Sequence, residues 1–294
     1  MSIQPEISVL ILTYEGEKII QKCIDSVKKQ KYEKNIEILV LDNGSSDNTY
    51  SMLKDYAGIT IYRNKINSSF TYGFNKLYRN SSGKYILILN NDVTLEGEDF
   101  FQKLIPILAS KDEFGAIAPM SIKPDNSIEQ IPKKEITFSS LIIDYTFLGP
   151  ILNFLNLSNL IIHKNYSLEE NIYGADVLQD SCLLVKRSAL GNKKIFNEKM
   201  RFYYTEDYLG DSIRAQQLQL IYRSDVKVRH LYRHGTSKMG KLRISWIYLL
   251  DALGYASQKY NPFLVYFILT PLAFLTLLIR VLYWFIRGEL AWKK

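Results

Sequence analysis

The chain has 294 residues, 47% hydrophobic and 23% charged. That composition excludes a disordered tail or a coiled coil and leaves length for one large domain or two small ones. Two cysteines, Cys23 and Cys182, cannot build a disulfide framework, a zinc cluster or a CxxC redox pair; their apolar neighbours indicate buried structural thiols. The net charge is +7, of which Arg280, Arg287, Lys293 and Lys294 against Glu289 supply +3, and no dense basic cluster remains to track nucleic-acid phosphates.

No signal peptide is expected, because the opening MSIQPE has no basic leader and the apolar run 7–12 is short. Residues 7–14 and 36–42 read as buried strands, flanking a helix with Ile19, Ile20, Cys23, Ile24 and Val27 on one face. A second helix is predicted from Ser46 or Asp47, both good N-caps, to about Tyr56. A strand at 59–62, a helix near 70–80, the strand 85–89, a helix bearing Phe100, Phe101, Leu104, Ile105 and Leu108, and a strand at 114–118 follow. This alternation predicts a parallel sheet wrapped by helices, with ligands beyond the carboxyl ends of its strands. Thr13-Tyr14, Asp42-Asn43-Gly44 and Asn90-Asn91-Asp92 then share one edge.

Residues 121–172 predict an irregular, partly amphipathic excursion. Regular pattern resumes at 173–187, with a helix near 206–218, a strand at 219–229, and an amphipathic helix at 240–256 carrying Leu242, Trp246, Leu249, Leu250 and Leu253. Residues 263–286 are apolar except for Arg280, and as a helix would span ~36 Å, enough for a bilayer core of ~30 Å. A buried core helix is the alternative.

An Asp at a strand end is by itself an ordinary cap or turn residue. Three successive strand ends with acidic or amide residues suit a nucleotide and a hard divalent cation. Asp42 can accept a base N–H, and Asp92 can supply an anionic oxygen to a cation bridging a diphosphate.

At these residues the chain resembles the inverting family-2 glycosyltransferases with the GT-A fold, especially their rhamnosyltransferase-like branch. The resemblance rests on VLILTYEGEKIIQKCIDSVKKQKY, EILVLDNGSSDNT, NSSFTYGFN, LILNNDV, DSCLLVKRSAL and FNEKMRFYYTEDYLGDSIR, in that order, from about residue 7 to 238. It implies an α/β, Rossmann-like mixed sheet, with a nucleotide-sugar-binding half (1–120), an acceptor-binding half (121–260) and a membrane-associated segment (261–294). It also implies a hexosyltransferase: Thr13, Tyr14, Glu15, Asp42, Asn43, Gly44, Asn67, Asn75 and Asn91 on the nucleotide-sugar donor, and Asp92 with His230 on Mg2+ or Mn2+. His234 competes with His230 for the metal, and a structural role is open for either histidine. Asp207 is expected to be the catalytic base, with Glu206 beside it; a helix-stabilising charge pair is the alternative. Three departures stand out. Glu15 replaces the family's usual Asn, Asn90 opens the metal turn in place of Asp, and YLGDSIR follows Glu206-Asp207 in place of DLxxR.

The expected partners are a nucleotide sugar, a glycan or lipid-linked acceptor and a membrane, with the catalytic part in the cytoplasm. A polyprenyl-phosphate acceptor, or a non-catalytic nucleotide-sugar-binding protein on the same fold, are the alternatives. A Rossmann dehydrogenase would need GxGxxG after the first strand, where TYEGEK has one glycine.

Overall fold

The computed structural model describes residues 4–130, 132–155, 171–191, 194–231 and 240–287. His163 and His234 lie outside the described residues, as does the whole 156–170 part of the excursion.

The first four parallel strands are β1 (Ile7–Thr13), β2 (Ile36–Asp42), β3 (Thr60–Arg63) and β4 (Tyr85–Asn90). They are followed by β5 (Val93–Leu95), β6 (Phe114–Ile122), β7 (Ile128–Gln130), β8 (Ile172–Ala175), β9 (Cys182–Lys186) and β10 (Gln219–His230). The main path of the sheet runs β3-β2-β1-β4-β9-β6-β10-β5, with β7 on β6 and β8 on β10. The sheet is mixed, as the family resemblance implies, where the strand–helix alternation alone predicts a parallel one. β9 runs antiparallel to both β4 and β6, and β5 antiparallel to β10. An apolar run such as CLLVK looks the same in either direction, so its sequence does not encode its sense.

Alternation along each strand feeds two cores. Ile7, Val9 and Ile11 face the side covered by α1 (Ile20–Lys28), α2 (Thr49–Lys54) and α4 (Phe100–Ala109). Leu10, Ile86 and Ile88 face α3 (Phe70–Arg79) and α7 (Thr205–Arg214). All five apolar residues expected on α1, and all five on α4, are buried, and both cysteines are buried free thiols.

Several boundaries move for local reasons. The α2 helix starts at Thr49 because Asp47 accepts the N–H groups of Thr49 (3.1 Å) and Glu17 (3.3 Å), bracing a loop rather than capping. The α7 helix stops at Arg214, since Gln217 at φ +61° turns the chain into β10. The excursion holds β7 and two short helices, α5 (Phe138–Tyr145) and α6 (Leu148–Phe154).

The C-terminal part forms a third core. Helix α8 (Lys241–Lys259) buries Leu249, Ala252, Tyr255 and Ala256, so the expected face is rotated and Trp246 and Leu250 are exposed. A π-helical stretch (Leu264–Leu269) runs into α9 (Thr270–Ile286). Val265, Leu269, Ala273 and Thr276 form one buried stripe against Leu141, Leu249 and Tyr255. Phe267, Leu275, Leu278, Leu282, Phe285 and Ile286 are exposed. Leu264–Ile286 is long and apolar enough to cross a membrane.

Candidate active site

The strand order reverses between β1 and β4: β2 and β3 lie on one side of β1, β4 on the other. That switch point is where an open α/β sheet leaves a crevice. The parallel register sets Thr13 beside Asp42 and Leu12 beside Asn90. The Asn91 side chain crosses the crevice and donates to the Thr13 hydroxyl at 2.8 Å. Thr13, Asp42 and the Asn90–Asp92 turn are therefore gathered as expected from their strand ends.

Asp42 is fully buried. Its Oδ1 accepts the Ser45 N–H at 3.1 Å, while Arg63 Nε lies 3.1 Å from Oδ2 without hydrogen-bond alignment. Oδ2 is buried with no hydrogen-bond partner among the described residues. Arg63, which ends β3 and stacks over Tyr50 with its guanidinium carbon 4.2 Å from the ring centroid, was not anticipated from the sequence.

The loop after β1 leans on the loop after β2. Glu15 N–H donates to Ser45 Oγ and Gly16 N–H to Thr49 Oγ1, both at 2.8 Å. Tyr14 is exposed beside them. Glu15 sits at φ +48°, a conformation Asn adopts more readily than Glu, which gives the family's usual Asn a backbone reason. Gly44 has φ +82°, and a Cβ there would meet the Ile66 carbonyl carbon at 2.6 Å, so only glycine allows this approach.

Asn43 is a hub between loops. Its Oδ1 accepts from Asn64 Nδ2 (2.8 Å) and Ser68 Oγ (2.7 Å), and its Nδ2 donates to the exposed Asn67 (3.1 Å). Asn75 is buried, and all four of its hydrogen bonds are internal. It donates to Phe196 O and Glu198, and accepts from the N–H groups of Ile195 and Phe196. It is a strut tying α3 to the segment that leads to Glu206-Asp207.

The surroundings of the Asn90–Asp92 turn depend on a strand pair absent from the sequence reading. β5 starts directly after Asp92 and runs antiparallel to β10, pairing Val93 with His230. His230 Nε2 consequently lies 3.1 Å from Asp92 Oδ1, and Nδ1 lies 2.8 Å from Oε2 of Glu129 on β7. Burial alone would lower the imidazole pKa, but hydrogen bonds and charge from Asp92 and Glu129 overcome it and push it up to about 9. Among the described residues no three His, Cys, Asp or Glu side chains are arranged to hold an ion unaided. One carboxylate beside one imidazole fits a hard or borderline cation only if a ligand adds oxygens, as a diphosphate does.

Tyr204 at φ +60° turns the chain into α7, whose first residues are Thr205, Glu206 and Asp207. Asp207 is buried, and its Oδ1 has no hydrogen-bond partner among the described residues. Burial, then the neighbouring Glu206, pushes its carboxyl up to about 7. Glu206 pairs with Lys133, which is held beside it by a β-bridge to Val177. Asp180, just before β9, is raised by the same two causes. The sequence reading gave no role to Lys133, nor to Asp180, although Asp180 opens the DSCLLVKRSAL segment.

The sequence model of "Glycosyl transferase family 2" matches residues 8–164, just over half of the chain. Among curated relatives, glycosyltransferase GlyA of Streptococcus pneumoniae is 30% identical over 107 residues, covering 35% of this chain and 15% of GlyA. The dolichyl N-acetyl-alpha-D-glucosaminyl phosphate 3-beta-D-2,3-diacetamido-2,3-dideoxy-beta-D-glucuronosyltransferase of Methanococcus voltae is 33% identical over 106 residues, covering 34% of this chain and 32% of that one. The alignment thus spans about a third or less of either relative. Among solved structures, the mannosyltransferase PcManGT from Pyrobaculum calidifontis, in complex with GDP-Man and Mn2+, superposes with TM-score 0.58 at 15% identity over 96% of this chain and 76% of that one. The family model covers more than half of the chain, and the sheet has the GT-A fold of its solved neighbour, so this chain is a member of glycosyl transferase family 2.

Proposed function

We propose that the chain is a divalent-cation-dependent, inverting glycosyltransferase that moves a sugar from a nucleotide-diphospho sugar to a hydroxyl of a lipid-linked or cell-surface glycan. The observation that carries the reading is the Asp92–His230 pair, 3.1 Å apart at the carboxyl edge of the sheet. Asp92 and His230 would hold the cation. When bound, it supplies positive charge that stabilises the leaving diphosphate. Thr13, Asp42, Arg63 and Asn91 would hold the nucleoside side of the donor, with Tyr14, Glu15 and Gly44 shaping its loops and Asn43, Asn67 and Asn75 keeping them in register.

Inversion is a single displacement in which the acceptor hydroxyl attacks the anomeric carbon as the nucleoside diphosphate departs from the opposite face. Asp207 takes the hydroxyl proton on Oδ during attack. Its raised pKa matches a base working near neutral pH. Glu206, held by Lys133, lies beside it and orients the acceptor.

A lipid-linked acceptor is supported by the long apolar helix and by a relative whose name specifies a dolichyl phosphate acceptor. A membrane-attached catalytic part facing the cytoplasm, where nucleotide sugars are made, fits the same reading.

The test is a panel of UDP-, dTDP- and GDP-sugars with the full chain in detergent, assayed for transfer or donor hydrolysis with Mn2+, with Mg2+ and with EDTA. EDTA should abolish turnover, and Asp92→Asn should lower kcat/KM about a hundredfold or more. Full activity in EDTA overturns the cation assignment. Binding without turnover across the panel favours the non-catalytic alternative.

A further inference from the structure

We propose that Glu129 is the positioning carboxylate that fixes His230 as a ligand of the donor-bound cation. This rests on the metal reading above and concerns a residue outside the motifs. The Glu129 side chain is only 2% exposed. A carboxylate so deeply placed needs a specific partner, because burial without one costs several kcal/mol.

Its Oε2 accepts from the fully buried Ser121 hydroxyl at 2.5 Å and meets His230 Nδ1 at 2.8 Å. Its Oε1 is buried with no hydrogen-bond partner among the described residues. Ser121, Glu129 and His230 come from three strands, β6, β7 and β10, so the contact is a product of sheet assembly. Arg229, next to His230, donates to Lys123 O (3.1 Å) and Asn126 Oδ1 (3.0 Å), fastening the turn of the β6–β7 hairpin to β10. The hairpin therefore cannot carry Glu129 away without breaking these bonds.

The consequence is chemical. A carboxylate can only accept, so Glu129 keeps a proton on His230 Nδ1, and a bound cation would take Nε2 in place of the proton now shared with Asp92. Nε2 is the nitrogen that faces Asp92. A carboxylate on the far nitrogen also makes the imidazole a better donor to a metal. The bland alternative is a buried ion pair that merely stabilises the hairpin.

The two separate in a binding experiment with the full chain in detergent, measuring UDP, dTDP and GDP affinity by calorimetry with and without Mn2+. The wild type should bind one of these nucleotides more tightly with Mn2+, and Asp92→Asn should lose that gain. In Glu129→Leu the gain should fall about 10- to 100-fold while metal-free nucleotide affinity stays unchanged. Glu129→Gln, nearly isosteric and still an acceptor toward Nδ1–H, should lose a few-fold, and it carries the test if the leucine variant does not fold. A wild-type gain retained in Glu129→Gln and in any folded Glu129→Leu, whatever happens to the melting temperature, overturns the proposal. No Mn2+ gain in the wild type overturns the metal reading itself.

Discussion

Asp251 Oδ2 accepts the backbone N–H of Tyr203 at 2.7 Å, and the same carboxylate accepts those of Arg201 (2.7 Å) and Phe202 (2.8 Å). A fully buried acid in the middle of α8 thus sets the three residues that precede the left-handed Tyr204 and the proposed base Asp207. Asp251→Ala leaves three N–H groups without their charged acceptor and should cost about 3–5 kcal/mol of stability. Asp251→Asn keeps one carbonyl oxygen and should cost less. Thermal melts with turnover measured below the transition check this; equal melting points for all three proteins contradict it.

For the base itself, Asp207→Asn should reduce transfer by about 10^2- to 10^4-fold with nucleotide affinity preserved, the usual worth of a positioned proton acceptor. Glu206→Gln should be milder. If Asp207 only favours the N-terminus of α7, its removal costs about 0.3–1 kcal/mol of stability and little turnover. Parallel measurement of kcat, donor Kd and Tm distinguishes the two.

The pH profile has a definite sign. A base must be deprotonated, and Asp207 is pushed up to about 7 by burial and Glu206. kcat/KM should therefore rise with pH and level off above about 7. Asp180 is raised to a similar value, so the limb belongs to the cluster rather than to one residue. The Lys133 ammonium lowers both groups, so Lys133→Met should move the limb to higher pH. A limb that stays in place would show that Lys133 does not act on the base.

The C-terminal helix should divide into two functional parts. Val265, Leu269, Ala273 and Thr276 are buried in the third core, and Thr276 Oγ1 accepts the Phe147 N–H at 3.1 Å. Ending the chain near Tyr260 strips that core and should destabilise the protein by several kcal/mol. Ending it after Leu277 keeps these contacts, removes the exposed Leu278–Ile286 surface and should move the folded protein from the membrane pellet to the supernatant. A pelleting and melting comparison of the two truncations tests this, and a Leu277-terminated protein that stays in the pellet would assign the anchor elsewhere.

The sequence by itself determined the buried strands, the helix faces that cover them, and the strand-end residues Thr13, Asp42 and Asp92. Each of those signals is local: period-2 or period-3.6 hydrophobicity followed by a polar stop. Glu15 and Gly44 carry local backbone signals as well, since both occupy positive φ. Tertiary structure alone decided what those residues meet. His230 reaches Asp92 across 138 positions because β5 and β10 pair antiparallel. Glu129 reaches His230 through a three-residue strand with no periodicity to read. Lys133 reaches Glu206 through a single β-bridge. Asn75, read as a donor contact, became a strut because the segment 195–198 folds over α3 and satisfies its amide. Residues that act through distant partners leave no spacing in the chain. Hydrogen-bond geometry and burial are properties of the assembled sheet, and only there do these groups acquire a pKa, a partner and a role.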